Sequence, residues 1–186
     1  MKTLPQSVPG FAAPALLLAI VAGCTKLEAG TIPVVPENLR VPASQTLVLE
    51  ARAAGVQIYE CKPGKDDPSR YEFVLRAPEA DLFDASGRRI GRHYAGPTWE
   101  ISDGSKAVGE VTARADAADL NAIAWLLLNV NARSGDGVLG KAQSVQRLQT
   151  TGGKAPAQGC TVAQAGREVR IPYTAMYYFY AAGNVY

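Results

Sequence analysis

An all-β domain is the fold class that the sequence predicts, in the form of a β-sandwich or small barrel of about eight or nine short strands with one short helix. Short runs rich in β-branched and aromatic residues recur along the chain, and Gly, Pro and Asp turn residues separate them. The sequence also contains no internal repeat, no heptad pattern and no low-complexity block. The alternative is an α+β arrangement in which residues 115–132 form one buried helix.

The first strands are predicted between residues 46 and 76. Residues 46–51 and 55–61 lie on either side of an Ala-Ala-Gly step, which predicts a hairpin. A charged loop over residues 62–69 precedes a third strand at residues 71–76, and Pro78 is expected to end that strand.

The middle of the chain predicts a strand followed by a tight hairpin. Residues 88–94 have strand character and end at a Gly-Pro break. Residues 98–101 and 107–113 flank an Asp-Gly pair, which is typical of a β-hairpin turn.

Residues 115–131 carry two conflicting patterns. Asp116 is placed to cap a helix over residues 117–120, whereas residues 125–130 (WLLLNV) are typical of a strand buried on both faces. The prediction is a short helix that leads into a strand.

Two further strands complete the predicted domain. Period-two alternation over residues 144–150 places Arg147 on the same side as a valine, so Arg147 is expected to face inward. The last strand opens at residues 168–173 and runs through residues 177–180. Pro172 predicts that this strand lies at an edge or begins anew there.

Length and charge indicate one domain behind a leader. The 186 residues divide into a signal peptide (1–23), a lipidated tether (24–39) and a single β-rich domain (40–186). Nineteen Lys and Arg residues against 17 Asp and Glu give a net charge of +2. Because the basic residues are scattered among acids, no nucleic-acid partner is predicted.

The N-terminus has the pattern of an export signal. Residues 11–23 form an apolar run after Lys2, and the run is too short for a membrane-spanning helix, which needs about 20 residues. Residues 21–24 (VAGC) resemble a bacterial lipobox, which predicts lipid attachment at Cys24 and export to the cell envelope. Thr25 favours the outer membrane. The alternative is an ordinary signal peptide that leaves Cys24 as a free thiol.

Cysteine usage agrees with export. Assigning Cys24 to a lipid leaves Cys61 and Cys160 as an even pair out of three cysteines. In an oxidising compartment these two are expected to form a disulfide that ties the first strands to the last. Two buried free thiols are the alternative, and two sulfurs with one distant histidine make a poor zinc site.

Several ordered motifs carry a resemblance to a known family. They are HYAGPTWE (93–100), DGS (103–105), WLLL (125–128), QR (146–147), TGGKAP (151–156), GC (159–160), PY (172–173) and YFY (178–180). With them the chain resembles a family of exported bacterial and fungal proteins catalogued only as a domain of unknown function. The resemblance covers roughly residues 41–181. It implies export, the cysteine pair and one domain, and it implies no reaction.

The chemistry-bearing residues concentrate in residues 91–105. His93, the only histidine of the chain, is a candidate general base or ligand, and Glu100 and Asp103 are candidate paired carboxylates. Tyr94 and Trp99 are a candidate stacking platform.

Structural interpretations of the same residues remain open. His93 and Trp99 are more often a core or corner pair than catalytic residues, and residues 103–105 (DGS) are more often a plain turn. An inward Arg147 needs a partner, and Glu100 is the candidate for that ion pair. The sequence contains no G-x-S-x-G, G-x-G-x-x-G or P-loop motif, so no serine triad and no cofactor is predicted, and no metal site.

The sequence therefore favours a non-enzymatic envelope lipoprotein, anchored to the membrane through Cys24. Its domain is expected to bind a small polar molecule, a glycan or a partner protein through Tyr94, Trp99, Glu100 and Arg147. One alternative is a hydrolase or isomerase that uses His93 with Glu100 or Asp103. The other is a structural envelope protein.

Overall fold

The computed structural model describes residues 33–183, which fold into a closed antiparallel barrel of eight strands. The strands are β1 (Gln45–Pro63), β2 (Tyr71–Phe83), β3 (Arg89–Tyr94), β4 (Thr98–Ile101), β5 (Lys106–Ala115), β6 (Trp125–Ser134), β7 (Ala142–Gly152) and β8 (Glu168–Ala182). Each strand pairs with the next in the sequence, and β8 pairs with β1 to close the barrel. The predicted all-β class is confirmed, as a barrel and not a sandwich.

Aromatic and aliphatic side chains fill the barrel interior. Alternation along β8 directs Tyr173, Tyr177 and Phe179 inward, where they are at most 3% exposed. They pack with Trp99 of β4 and Leu128 of β6 in one core. The interior is therefore a packed core over much of its length.

A second apolar cluster covers the outer face of β7 and β8. Leu39, in the 3₁₀ turn Glu37–Leu39, is fully buried against Leu148, Tyr178 and Tyr180. Gln146 Nε2 donates to the Leu39 carbonyl at 2.6 Å, and the Tyr180 hydroxyl donates to Gln146 Oε1 at 2.7 Å. β8 is therefore buried on both faces here.

Two predicted strand breaks are wrong, at the Ala-Ala-Gly step and at Pro78. Residues 46–61 form one continuous strand and no hairpin. Gly55 lies inside this strand, where β2 approaches so closely that a Cβ would overlap the Glu79 carbonyl oxygen. Pro78 lies within β2 and Pro172 within β8. Both prolines sit where the strand pairs on one side only, since β3 reaches β2 from Ala80 and β7 reaches β8 from Tyr173. The local edge position predicted for Pro172 is therefore present without a new strand.

The predicted short helix at residues 117–120 is also wrong. Asp119 holds a turn in which its side chain accepts from the Asn121 N–H at 2.8 Å and its carbonyl from the Ala122 N–H at 2.9 Å. The Ile123 N–H then donates to the Gly152 carbonyl, and β6 begins at Trp125 as predicted. A four-residue helix gains too few hydrogen bonds to offset nucleation. Helical structure in the described chain is limited to 3₁₀ turns, so the α+β alternative is excluded there.

The predicted disulfide is confirmed. Cys61 near the end of β1 is bonded to Cys160 in the β7–β8 loop, with Cα atoms 6.1 Å apart and a sequence separation of 99. The predicted signal peptide (1–23) and Cys24 lie outside the described residues. Among residues 33–183, no helix is long and apolar enough to cross a membrane.

Candidate functional site

An opening in the barrel wall results from the shortness of the β3–β4 hairpin. β3 and β4 contain six and four residues, whereas the flanking β2 and β5 contain 13 and 10. β3 pairs with β2 only between Ala80 and Phe83, so residues 71–79 extend past the hairpin turn at residues 95–97. Beyond that turn no described strand lies between β2 and β5, and the interior is accessible there.

A cavity of about 240 Å³ lies behind this opening. Five strands contribute the polar and aromatic residues of its inner wall, which are Gln57, His93, Trp99, Arg147 and Tyr177. No Asp or Glu is among its lining residues, all of which belong to the described chain. The cavity therefore carries positive charge without an internal counterion.

His93 lies in the wall of the cavity as a neutral imidazole. Its Nδ1 is 2.8 Å from the Thr98 carbonyl oxygen, which only accepts hydrogen bonds, so Nδ1 carries the proton. Burial lowers the pKa of His93 to about 3, the bond to Thr98 opposes this shift, and the charge of Arg147 adds to it. His93 is consequently uncharged at neutral pH.

Arg147 extends into the barrel, as its alternation predicted. Its Nε and Nη2 donate to the Ala124 carbonyl at 3.2 and 2.8 Å, and these bonds leave Nη1 unused. Among residues 33–183, Arg147 makes no salt bridge. The ion pair considered between Arg147 and Glu100 does not form.

Three other lining residues carry buried polar atoms without a hydrogen-bond partner. They are Gln57 Nε2, Trp99 Nε1 and the Tyr177 hydroxyl, on side chains that are each 1% exposed. An indole N–H only donates, and an amide nitrogen likewise. A buried donor without a partner costs about 1–3 kcal/mol, and an acceptor in the cavity relieves this cost only if the lining side chains shift, since these atoms are buried beneath the cavity surface.

Glu100 and Tyr94 lie on the outer face of the barrel. Glu100 Oε2 accepts from Arg92 Nη2 at 2.9 Å and from the Tyr94 hydroxyl at 3.0 Å, and Lys106 Nζ is 3.4 Å away. The bonds from Arg92 and Tyr94 lower the pKa of the Glu100 carboxyl. Of the four predicted ligand-binding residues, Trp99 and Arg147 therefore line the cavity, whereas Tyr94 and Glu100 face outward.

Asp103 holds a turn at the far end of β4 from the cavity opening. Its Oδ1 accepts from the backbone N–H and the hydroxyl of Ser105 at 2.9 and 2.6 Å, and its Oδ2 accepts from the Val138 N–H at 2.8 Å. Partial burial raises the pKa of Asp103, but the bonds from Ser105 and Val138 outweigh it and the pKa is lowered. The structure thus does not bring His93, Glu100 and Asp103 into one cleft.

Gln57 and Tyr177 are lining residues that the sequence reasoning missed. Once residues 45–63 are read as one strand, alternation continues from the buried Ala51 and Ala53 through Gly55 to Gln57 and directs Gln57 inward. The predicted hairpin interrupted this pattern, so its signal was lost. Tyr177 follows by the same alternation within β8.

Comparison with known proteins identifies a family and no function. A family model described as "Protein of unknown function (DUF3455)" matches residues 42–181. No curated protein and no solved structure matches the chain. Within the described chain, no group of three or more His, Cys, Asp or Glu residues is arranged to hold a metal ion.

Proposed function

The chain belongs to the DUF3455 family of proteins of unknown function, and we propose that its barrel binds a small organic anion in the cavity between β2 and β5. One observation carries the proposal. Arg147 places a guanidinium inside the barrel, beside a cavity whose lining contains no carboxylate.

The energetics of a charge in the interior favour an anionic ligand. A charge removed from water is costly unless an opposite charge or several hydrogen bonds compensate for it. Arg147 is partly buried, its two hydrogen bonds at 3.2 and 2.8 Å go to one carbonyl oxygen, that of Ala124, and its neighbour Tyr177 carries no charge to balance it. A carboxylate or phosphate on the ligand would supply the missing charge and accept a charge-assisted hydrogen bond from Nη1.

The entrance carries the same sign of charge. Arg76 of β2 and Arg114 of β5 line the opening, and both are exposed. Arg76 is paired with Glu168, whereas Arg114 makes no salt bridge within the described residues. A positive entrance raises the local concentration of anions and their association rate.

Acid–base catalysis has no comparable support. A general base works best with a pKa near the working pH, and the pKa of His93 is about 3. The two candidate carboxylates, on Glu100 and Asp103, are engaged in bonds away from the cavity. We therefore propose a binding protein and not an acid–base enzyme.

The proposal includes export and attachment to the cell envelope, most simply the outer membrane, through a lipid on Cys24. The lipobox-like residues 21–24 and the Cys61–Cys160 disulfide support it, since disulfides persist in oxidising compartments. Mass spectrometry of the mature N-terminus tests it. We expect an acylated N-terminal Cys24 that is lost in Cys24→Ser, and an unmodified Cys24 would contradict it.

Binding is tested with the detergent-solubilised full chain carrying Trp125→Phe. Trp125 belongs to the outer cluster, so this change leaves Trp99 in the cavity wall as the only fluorescent indole. We expect saturable changes in Trp99 fluorescence with at least one of benzoate, benzenesulfonate and phenyl phosphate. Arg147→Met should weaken that binding by tenfold or more.

The matched control is Glu100→Gln, which alters a carboxylate on the outer face and should leave the affinity unchanged. Thermal unfolding of each variant establishes that it is folded. If Arg147→Met is unfolded, Tyr177→Phe, which removes one lining hydroxyl, replaces it and should also weaken binding. No response to any of the three anions, or equal affinity in the folded Arg147 variant, would overturn the proposal.

A further inference from the structure

We infer that the ligand is a small monocarboxylic acid with a compact apolar body. This inference rests on the proposed function and specifies its ligand class. It is drawn from the number of charges at the cavity, its hydrogen-bond donors and its size.

The charge at the inner wall matches one negative charge. Arg147 is the one charged side chain among the inner lining residues, because His93 uses its Nδ1 proton on Thr98 and is packed against Trp99 and Tyr177. The other lining arginines, Arg76 and Arg114, are exposed at the entrance. A dianion at the inner wall would leave one charge uncompensated in a low-dielectric site. A monoanion is therefore favoured over a phosphate ester.

The donors at the cavity match a carboxylate. Besides Arg147 Nη1, the unpartnered groups are the Trp99 indole N–H, the Gln57 amide nitrogen and the Tyr177 hydroxyl. The Tyr177 ring centroid lies 5.3 Å from that of Trp99 and 5.0 Å from that of His93, so these three rings form one wall. A carboxylate offers about four lone-pair positions on two oxygens, so it can accept from Arg147 Nη1 and from a further donor at the same time.

The remaining walls and the volume limit the rest of the ligand. Val111, Leu126 and Leu128 complete the lining with aliphatic surface. A cavity of about 240 Å³ is smaller than the pockets of roughly 300–1,000 Å³ that hold drug-sized ligands, so the ligand is a small one. Benzoate has this size and shape and serves as the probe.

The test is calorimetric titration of the full chain with four matched compounds. They are benzoate, the neutral benzamide, the dianion phenyl phosphate, and biphenyl-4-carboxylate, which keeps the carboxylate and exceeds the cavity. We expect saturable benzoate binding and at least tenfold weaker binding of each other compound. Tyr177→Phe should weaken benzoate binding severalfold and leave the ratio of the affinities for benzoate and biphenyl-4-carboxylate unchanged. Glu100→Gln should change neither affinity.

The outcomes separate this inference from the function on which it rests. Tighter binding of phenyl phosphate than of benzoate would overturn the carboxylate assignment and leave anion binding standing. Equal binding of biphenyl-4-carboxylate would overturn the size limit. Equal affinity for benzamide and benzoate, or no binding of any compound, would overturn both the inference and the proposed function.

Discussion

The imidazole of His93 is stacked on the indole of Trp99, with ring centroids 4.8 Å apart and an angle of 11° between the planes. The two residues are directly opposite each other on β3 and β4, on the inward side of both strands. Tyr177 of β8 packs against both rings. The only histidine of the chain is thus part of the core and of the cavity wall at once.

Low pH should destabilise the protein through His93. The pKa of this residue is lowered from 6.5 to about 3 in the folded state, so between these values the unfolded chain binds more protons. Stability is therefore fully present above pH 6.5 and falls as the pH decreases toward 3, by about 1.4 kcal/mol per pH unit at most. Between pH 7.5 and pH 5 we expect His93 to account for a loss of about 2 kcal/mol, measured by urea unfolding.

His93→Phe is the control for this pH dependence. It keeps a ring against Trp99 and removes the titrating group, so the free energy of unfolding should depend less on pH between 7.5 and 5. Carboxyl groups contribute equally to both proteins, and the difference between the two curves isolates His93. Identical pH slopes, or a titration of the imidazole NMR signal near pH 6.5 in the folded protein, would contradict the prediction.

Gly109→Ala should destabilise the core through Trp99. A Cβ at position 109 would lie 2.9 Å from Cζ3 of the Trp99 ring, which is 1% exposed and unable to move aside. Overpacking of this kind costs about 1–3 kcal/mol. Chemical unfolding of Gly109→Ala, Trp99→Phe and the double variant forms a thermodynamic cycle.

The cycle predicts a favourable coupling, because the smaller Phe ring makes room for the added methyl group. Gly109→Ala should then cost less in the Trp99→Phe background than in the wild type. Additive effects would show that the cost of Gly109→Ala arises in the backbone and not from contact with the Trp99 ring. Trp99→Ala is a different experiment, since removing a buried indole costs about 3–5 kcal/mol and affects binding and folding together.

The fold class was predictable because its signals are local, and the closure of the barrel was not. Alternation and turn residues identify strands one at a time, whereas the pairing of β1 with β8 joins segments more than a hundred residues apart in sequence. Gly55 and Pro78 were interpreted as breaks, and Pro172 as an edge position or a new start, because those residue types often interrupt strands. In the barrel, Gly55 lies where two strands approach each other closely, and Pro78 and Pro172 lie where their strands pair on one side only. These positions follow from the strand register and not from the local sequence.

The site was half predictable for the same reason. Trp99 and Glu100 are adjacent in the sequence and lie on opposite faces of β4, and the alternation of the apolar Trp99 and Ile101 with Glu100 already indicates which face is inside. Arg147 was correctly directed inward by its alternation with apolar residues. Gln57 depends on continuous alternation from Ala51, which the predicted hairpin broke.

Loss of the disulfide should lower stability more than loss of any surface ion pair. Cys61 and Cys160 close a loop of 99 residues, and removing a native disulfide from a small domain typically costs about 2–5 kcal/mol. We expect this cost in the double variant Cys61→Ser/Cys160→Ser, measured by denaturant unfolding. The control is Arg92→Gln, which breaks an exposed pair with Glu100 and should cost less than about 1 kcal/mol. Equal stabilities of the two variants would contradict the prediction.

Asp103→Ala should destabilise the barrel, whereas Asp67→Ala should have little effect. Both carboxylates accept from the N–H and hydroxyl of the serine two residues later, Ser105 or Ser69, with nearly the same distances. Only Asp103 also reaches across the fold, to the Val138 N–H at 2.8 Å. A hydrogen bond to a charged group contributes about 1.5–3 kcal/mol, so Asp103→Ala should cost more than Asp67→Ala by at least this amount, since it also loosens Ser105, whose hydroxyl accepts from the Leu139 N–H at 3.0 Å.

Denaturant unfolding at neutral pH gives that difference, and benzoate titration of the same variants gives a second test. Asp103 lies at the end of β4 that is remote from the cavity, so Asp103→Ala should lose stability and keep its affinity for benzoate. Equal unfolding free energies for the two variants would rule out the contact to Val138 as a stabilising bond. A loss of benzoate affinity in folded Asp103→Ala would instead indicate that Asp103 contributes to the binding site.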